Sequence, residues 1–188
     1  NFIRFTGGEP VPVDVHEEDG FQFRPEAEKE RVGPRTKAIF INSPANPTGT
    51  LLSTERMAAL AGLGPLIISD EIYHGLVYEG REHSILEFRD RAIVFNGFSK
   101  AYAMTGWRLG YAIVPPELIR PLQKMHQNFF ISANAFVQAA GIAALREAQP
   151  EVARMRAIYD ERRRFVIPGL RRLGFGIARA SEILFAAG

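Results

Sequence analysis

Three short apolar runs in this chain are each followed at once by polar side chains that could do chemistry. Asn46 follows the first run, Asp70 and Tyr73 follow the second, and Lys100 follows the third, with Arg108 eight residues beyond the lysine. If the three segments meet in the folded chain, an amide, a carboxylate, a phenol, an amine and a guanidinium converge on one ligand. A phosphorylated pyridine aldehyde is a ligand that could use all five groups.

Each of the five groups has a distinct task on such a ligand. A lysine that has lost its proton can condense with the aldehyde to form an imine and can also act as a base. A carboxylate keeps the pyridine nitrogen protonated, so that the ring withdraws electrons from the reacting carbon. A phenol and an amide can hydrogen-bond a ring oxygen anion and so tune the pKa of the imine. A guanidinium fork can hold the phosphate.

The apolar runs that position these residues have the pattern of buried strands. Each run is short, rich in Ile or Val and bounded by turn or polar residues, as in an α/β sheet buried on both faces; short buried helices are the alternative. The four runs lie at residues 38–41, 66–68, 92–95 and 109–114.

The connections between the runs predict how the strands are arranged. A helix capped by Ser53 or Thr54 and ended by Gly62 lies between the first two runs, so a right-handed parallel crossover is expected. The gap between the third and fourth runs is short, so the fourth strand is predicted to be antiparallel to the third. Ligands bind open α/β sheets at the carboxyl ends of the strands, where the three polar segments would lie.

The second half of the chain has helical patterns. Helices are predicted at residues 117–128, at 133–147, which is nearly uncharged and therefore expected to be buried, and from Pro150 to about Val166. Pro168 and Gly169 are expected to interrupt the third helix, and residues 175–178 are expected to form a new strand.

Three motifs in the chain resemble those of the class I and II aminotransferases of pyridoxal-phosphate (PLP) fold type I. They are NPTG at residues 46–49, DEIY at 70–73 and SKAYAMTGWRLGY at 99–111. The last segment is similar to the aspartate-aminotransferase-like branch, and the order and rough spacing of the motifs match over essentially the whole chain. The lysine segment is the most specific of the three.

The resemblance implies a role for each candidate residue. Lys100 would carry PLP as a Schiff base and shuttle the proton between the substrate α-carbon and the cofactor, and Asp70 would pair with the pyridinium nitrogen. Tyr73 and Asn46 would bond the ring oxygen, and Arg108 would bind the phosphate.

Some neighbouring residues invite other interpretations. The family often has a hydroxyl residue at the position of Gly97, and Ser99 could contact the phosphate in its place or could simply pack at the strand end. His74 could be an acid or base, but we interpret it as a loop residue. Trp107 is expected to pack near the phosphate turn. The spacing of Gly106 and Gly110 does not match a dinucleotide fingerprint.

Composition limits the other classes of function. The chain has 188 residues, 46% of them hydrophobic, and a formal net charge of +2, which is too small an excess to indicate nucleic-acid binding. It has no cysteine, which excludes disulfides and thiolate metal sites and fits a reducing compartment. No run of residues is apolar enough for a membrane span.

The sequence as a whole predicts a three-layer α/β fold, with a mostly parallel sheet and helices on both faces. Residues 1–165 would form the PLP-binding large domain, and residues 166–188 would begin a small α+β domain. The resemblance implies a cytoplasmic, homodimeric aminotransferase that acts on an amino acid and a 2-oxo acid. The alternatives are a lyase or decarboxylating enzyme that uses the same cofactor, and a non-catalytic fragment or regulator module.

Overall fold

Four short strands form a single sheet in the computed structural model, which describes residues 1–177. The strands are β1 (Ala38–Asn42), β2 (Leu66–Asp70), β3 (Ala92–Gly97) and β4 (Gly110–Ile113), and they lie side by side in chain order. β1, β2 and β3 are parallel, and β4 is antiparallel to β3. The four predicted strands and the reversed direction of the fourth are therefore confirmed.

Six helices accompany the sheet within residues 1–177. They are α1 (Phe2–Phe5), α2 (Pro25–Arg31), α3 (Thr54–Ala61), α4 (Pro116–Phe129), α5 (Ala135–Glu147) and α6 (Gln149–Arg172). Single 3₁₀ turns occur at Glu17–Asp19, Ile85–Glu87 and Thr105–Trp107. The mostly parallel sheet flanked by helices is the fold class that the sequence predicts.

The crossover between β1 and β2 runs through α3, whose ends follow from its sequence. The Ser53 hydroxyl accepts a hydrogen bond from the backbone N–H of Arg56, which caps the first turn. Gly62 follows directly after the last helical residue. The predicted capped helix is thus confirmed, and it returns the chain to the start of β2.

One face of the sheet, which we call the covered face, carries the main hydrophobic core. Successive strand residues point to opposite faces, and those on this face pack against α3 and the segment before α2. Leu60, Ile67 and Ile85 are fully buried there. The core consists of Phe23, Ile41, Met57, Leu60, Ile67, Ile85, Ala92 and Val94. A second cluster of Tyr73, Leu76, Ala101 and Val152 packs α6 against the segments that follow β2 and β3.

The sequence predicts that the opposite face of β1 and β3, which we call the open face, is also buried. In the structure this face is exposed. Phe40 is 60% exposed and Phe95 is 43% exposed. β4 is exposed along its whole length. The expectation that all four strands are buried on both faces is therefore wrong for this chain, because no segment of residues 1–177 covers these side chains.

The expected burial of α5 is also wrong for most of the helix. Only Val137, Gly141 and Ala144 are buried, whereas Phe136 is 64% exposed and Ile142 is 52% exposed. The apolar pattern of α5 is continuous, but within the described chain only one stripe of the helix meets the sheet and its loops.

The break predicted at Pro168 and Gly169 does not occur, because α6 continues through both residues to Arg172. A proline removes one backbone hydrogen bond from a helix interior, and here this loss is confined to the last turns of a long helix. Residues 175–177 have no regular secondary structure, so the predicted strand is absent from them. Ala178 and the rest of the chain lie outside the described residues, and the division at residue 165 stays a prediction.

A buried carboxyl group lies on α2, beside α3. Glu28 is 7% exposed, and in the described part of the chain its Oε2 atom has no hydrogen-bond partner. It lines a cavity of about 260 Å³ together with Phe23, Pro25, Glu26, Lys29, Ala59 and Leu63. Burial raises the pKa of Glu28 to about 7, because the charged form loses its hydration.

We expect Glu28→Leu to stabilise the chain, and to do so more at pH 8 than at pH 5. The unfolded chain loses the Glu28 proton near pH 4.5 and the folded chain only near pH 7. The contribution of Glu28 to stability therefore falls as the pH rises between these values and is constant above them. A gain of about 1–3 kcal/mol is expected at pH 8 from removing an unsatisfied buried group.

Thermal unfolding of both proteins at the two pH values measures this difference. Glu30→Leu, at an exposed position of the same helix, is the matched control and should show no such pH dependence. An equal shift at pH 5 and pH 8 for Glu28→Leu would contradict the assignment.

Gly97, the last residue of β3, lies where a Cβ atom would be crowded. A Cβ atom there would be 3.1 Å from Ile72 Cδ1, 3.1 Å from the Leu109 carbonyl oxygen and 3.2 Å from Gly110 Cα. Two of these three neighbours are backbone atoms, which move less readily than the end of a side chain. The tight packing accounts for glycine at a position where a hydroxyl residue is often found in the family that the sequence resembles.

We expect Gly97→Ala to destabilise the chain by about 1–3 kcal/mol, the usual result of forcing an extra carbon into packed structure. The denaturant midpoint of unfolding is the measurement. Gly106→Ala is the control, because a Cβ atom at Gly106 would meet nothing within 4 Å. Equal midpoints for the two variants would show that the chain at Gly97 yields easily.

Candidate active site

The carboxyl ends of β1, β2 and β3 lie at one edge of the sheet. Asn42 at the end of β1 pairs with Asp70 at the end of β2, and Asp70 pairs with Phe95 near the end of β3. All three polar segments found in the sequence therefore leave the sheet at the same edge. Parallel strands produce this arrangement because their ends point the same way.

A side-chain amide fixes the segment that follows β1. Asn42 Nδ2 donates to the backbone carbonyl of Asp70 at 3.0 Å, and Asn42 Oδ1 accepts from the backbone N–H of Asn46 at 2.8 Å. The backbone N–H of Ser43 also donates to the Asp70 carbonyl, at 3.1 Å. The position of Asn46 is thus tied to the end of β2.

Asn46 and Tyr73 form a hydrogen-bonded pair across the two segments. Asn46 Nδ2 lies 3.3 Å from the Tyr73 hydroxyl oxygen, and Tyr73 is 5% exposed. Burial raises the pKa of the Tyr73 phenol, the Asn46 bond lowers it, and the negative charge of Asp70 raises it; the net direction is upward. The phenol therefore keeps its proton at neutral pH and can donate a hydrogen bond.

Lys100 and Asp70 lie beside this pair. Lys100 Nζ is 5.6 Å from the centroid of the Tyr73 ring, within the range of an attraction between a cation and an aromatic face. Asp70 Oδ1 accepts the backbone N–H of Ile72 at 3.1 Å, which forms a turn and orients the carboxylate. Four of the six predicted site residues thus share one neighbourhood.

The remaining two predicted residues, Ser99 and Arg108, are linked to each other through Thr105. The Thr105 hydroxyl donates to the Ser99 carbonyl at 3.0 Å, and Arg108 Nη1 donates to the Thr105 carbonyl at 3.2 Å. Arg108 is exposed and has a left-handed backbone, with φ of 52°. Among residues 1–177, neither side chain hydrogen-bonds to the other four candidates.

Two supporting residues were not singled out from the sequence, and each closes a turn at the site. Asn42 holds Asn46, and Thr105 connects Ser99 with Arg108. The only signal in the sequence is that Asn42 directly precedes the first polar segment and that Thr105 lies inside the lysine segment. Trp107, expected to pack, has its ring 6.2 Å from that of Phe136.

Within residues 1–177 no group of three His, Cys, Asp or Glu side chains could hold a metal ion. None of the helices in this part of the chain is long and apolar enough to cross a membrane.

Comparison with known sequences places the chain among aminotransferases. The family model for aminotransferase class I and II matches residues 1–186. The chain is 43% identical over 181 residues to a (5-formylfuran-3-yl)methyl phosphate transaminase from Methanocaldococcus jannaschii, covering 94% of the chain and 47% of that protein. It is 37% identical over 169 residues to an aspartate aminotransferase from Geobacillus stearothermophilus, covering 85% of the chain and 43% of that protein.

Solved structures show the same similarity. A mutant of the Thermus thermophilus aspartate aminotransferase superposes with a TM-score of 0.93 at 37% identity, covering 96% of this chain and 52% of that one. An aromatic aminotransferase from Pyrococcus horikoshii superposes with a TM-score of 0.84 at 36% identity, covering 89% and 48%. This chain thus spans about half the length of the relatives that it matches. Relatives in this family depend on PLP. The family match and the structural similarity show that the chain belongs to the class I and II aminotransferases and has the fold of type I PLP-dependent transferases.

Proposed function

We propose that this chain forms the cofactor-binding part of a PLP-dependent aminotransferase, which moves an amino group between an amino acid and a 2-oxo acid. The observation that carries the proposal is the cluster of Lys100, Tyr73 and Asn46 at the carboxyl ends of parallel strands. Lys100 Nζ lies over the Tyr73 ring, and Asn46 bonds the Tyr73 hydroxyl.

The residues at this edge fit the cofactor that the family uses. When bound, PLP supplies an aldehyde carbon and a protonated pyridine ring that withdraws electrons from the reacting centre. Asp70 would hold the proton on the pyridine nitrogen, and Asn46 and Tyr73 would hydrogen-bond the ring oxygen. Arg108, which is linked to Ser99 through Thr105, would bind the phosphate. Lys100 Nζ, 5.6 Å from the centroid of the Tyr73 ring, would be the amine that carries the cofactor.

The proposed chemistry of the chain itself is proton movement and orientation. Lys100 Nζ would hold and move the proton that leaves the substrate α-carbon, because it lies 5.6 Å from the centroid of the Tyr73 ring at the sheet edge. Tyr73 keeps its own proton, since burial and the charge of Asp70 raise its pKa, so it serves as a hydrogen-bond donor. Asp70 is oriented by its bond to the Ile72 N–H.

The proposal includes a homodimer, an amino acid and 2-oxo acid as substrates, and a cytoplasmic location. Phe129, Phe130 and Ile131 are 73%, 75% and 79% exposed, and this apolar surface supports association with a second copy. The absence of cysteine from the sequence fits a reducing compartment. The names of the relatives favour amino-group transfer over a lyase or decarboxylase reaction on the same cofactor.

Replacing Lys100 with alanine in the full-length protein should abolish covalent attachment of PLP. The wild-type protein should show a visible absorbance band, and borohydride reduction should fix the cofactor on the peptide that contains Lys100. Lys124→Ala, at an exposed position of α4, is the matched control and should behave as wild type. Cofactor fixed on another lysine would refute the assignment.

Amino donors separate transamination from the alternative reactions. Incubation of the wild-type protein with a donor should convert the bound aldehyde form to the amine form. Elimination or loss of carbon dioxide without this conversion would favour a lyase or decarboxylase.

The Tyr73→Phe variant should raise the pH at which the visible band changes. A hydrogen bond to a charged oxygen favours the charged form, so losing the Tyr73 donor makes the ring oxygen hold the imine proton more tightly. PLP binding should weaken about fivefold, the equivalent of one net hydrogen bond of about 1 kcal/mol. Absorbance titrations measure both quantities.

Tyr102→Phe is the control for this variant. The Tyr102 hydroxyl accepts a hydrogen bond from Gln149, at 3.0 Å, and not from a candidate cofactor residue. An unchanged pH midpoint in Tyr73→Phe would remove Tyr73 from the cofactor site.

A further inference from the structure

Glu71 is a buried carboxylate between two of the proposed cofactor residues, Asp70 and Tyr73. It is 2% exposed. Its Oε1 atom accepts three hydrogen bonds, from Ser69 Oγ at 3.0 Å, from Ser84 Oγ at 3.1 Å and from the backbone N–H of Ile85 at 3.0 Å. Burying a carboxylate is costly unless hydrogen bonds replace its hydration, and here three donors do so.

The rest of Glu71 is fixed as well. Its backbone N–H donates to the Phe95 carbonyl at 2.9 Å, which ties it to β3, and its carbonyl accepts from the backbone N–H of His74 at 3.0 Å. Its Oε2 atom lies 3.5 Å from His74 Nδ1. Glu71 therefore connects the end of β2, the turn at residues 70–74 and the segment at residues 84–85.

The segment at residues 84–85 is a firm anchor. Ser84 Oγ accepts the backbone N–H of Leu86 at 3.3 Å, and Glu87 Oε1 accepts the backbone N–H of Ser84 at 3.1 Å, so the turn caps itself. Ile85 is fully buried in the main core. The Glu71 carboxylate, which bonds this segment, is therefore anchored to the main core.

Strand geometry places Glu71 and Asp70 on different sides of the chain. Ser69 is fully buried on the covered face, and the next residue along the strand, Asp70, points the other way. Glu71 bonds Ser69 and so lies on the covered side. It can therefore hold the turn from beneath without touching a ligand at the sheet edge.

We propose that Glu71 is a positioning residue for the cofactor site. Its buried carboxylate fixes the turn at residues 70–74, so that Asp70 and Tyr73 keep one arrangement relative to Lys100. The inference rests on the proposed function, because it acts through two residues assigned to PLP. The buried network predicts that a neutral side chain at position 71 leaves the sheet intact but loosens the turn.

Glu71→Gln in the full-length protein tests the proposal, because the amide keeps the shape of the side chain but removes its charge. PLP should bind about tenfold or more weakly, as expected when several charge-assisted hydrogen bonds become neutral ones, and the pH midpoint of the visible band should shift. In the cofactor-free protein, hydrogen exchange at residues 70–74 should speed up. Ser84→Ala removes one donor but keeps the carboxylate, so it should show a smaller change in the same direction.

Glu117→Gln is the control, because Glu117 accepts from Arg91 Nε at 3.1 Å and bonds neither Glu71 nor the turn at residues 70–74. It should leave PLP affinity within twofold of wild type. If Glu71→Gln and Ser84→Ala lower the unfolding temperature but change neither PLP affinity nor the pH midpoint, Glu71 is merely structural and the proposal fails. A wild-type protein that binds no PLP refutes the proposed function instead, and hydrogen exchange then decides whether Glu71 holds the turn.

Discussion

The parallel register of β1, β2 and β3 is the constraint on which the site depends. Asn42 pairs with Asp70, and Asp70 pairs with Phe95, so the segments after these residues start level with one another. Each segment is then tied to its neighbour by a hydrogen bond that reaches across: Asn42 to the Asp70 carbonyl, and Glu71 to the Phe95 carbonyl. A slip in register would separate the amide, the phenol and the amine, because each segment carries one of these groups.

Two buried glutamates in the chain show how differently a carboxyl group can be accommodated. Glu71 has three hydrogen-bond donors on one oxygen, whereas Glu28 has an oxygen without a partner among the described residues, and its pKa is raised to about 7. A satisfied buried carboxylate can organise the segments that bond it, while an unsatisfied one lowers stability once it ionises. The difference lies in the donors around each group and not in its depth.

The sequence predicted the elements of the fold better than their burial. Short Ile- and Val-rich runs between turn residues are a local signal, as is a serine before a helix, and β1 to β4 and α3 follow from such signals. Exposure is not local: Phe40, Phe95 and most of α5 would be buried only if other segments covered them. The break predicted at Pro168 was wrong because the other backbone hydrogen bonds of a helix as long as α6 outweigh the one that the proline removes.

Most of the proposed site residues could also be predicted from the sequence, whereas the residues that hold them in place could not. Lys100, Asp70, Tyr73 and Asn46 belong to motifs with a fixed order, and the structure brings them to one edge. Asn42 and Glu71 act through hydrogen bonds to backbone groups and to residues far along the chain, and no periodicity or motif reports such bonds. Only the folded structure shows that the Glu71 carboxylate is buried and hydrogen-bonds Ser84 and Ile85.

The contacts of Glu71 are separate from the apolar surfaces that the described chain leaves exposed. Glu71 and the turn at residues 84–85 draw on the covered face, where Ile67 and Ile85 are fully buried. Exposed apolar residues such as Phe40 and Phe136 lie instead on the open face and along α4 and α5. Hydrophobic burial is short-ranged and roughly proportional to area, so covering those surfaces would add stability without moving the bonds at the sheet edge. The hydrogen bonds that hold Glu71, beside Asp70, therefore come from residues of the described chain.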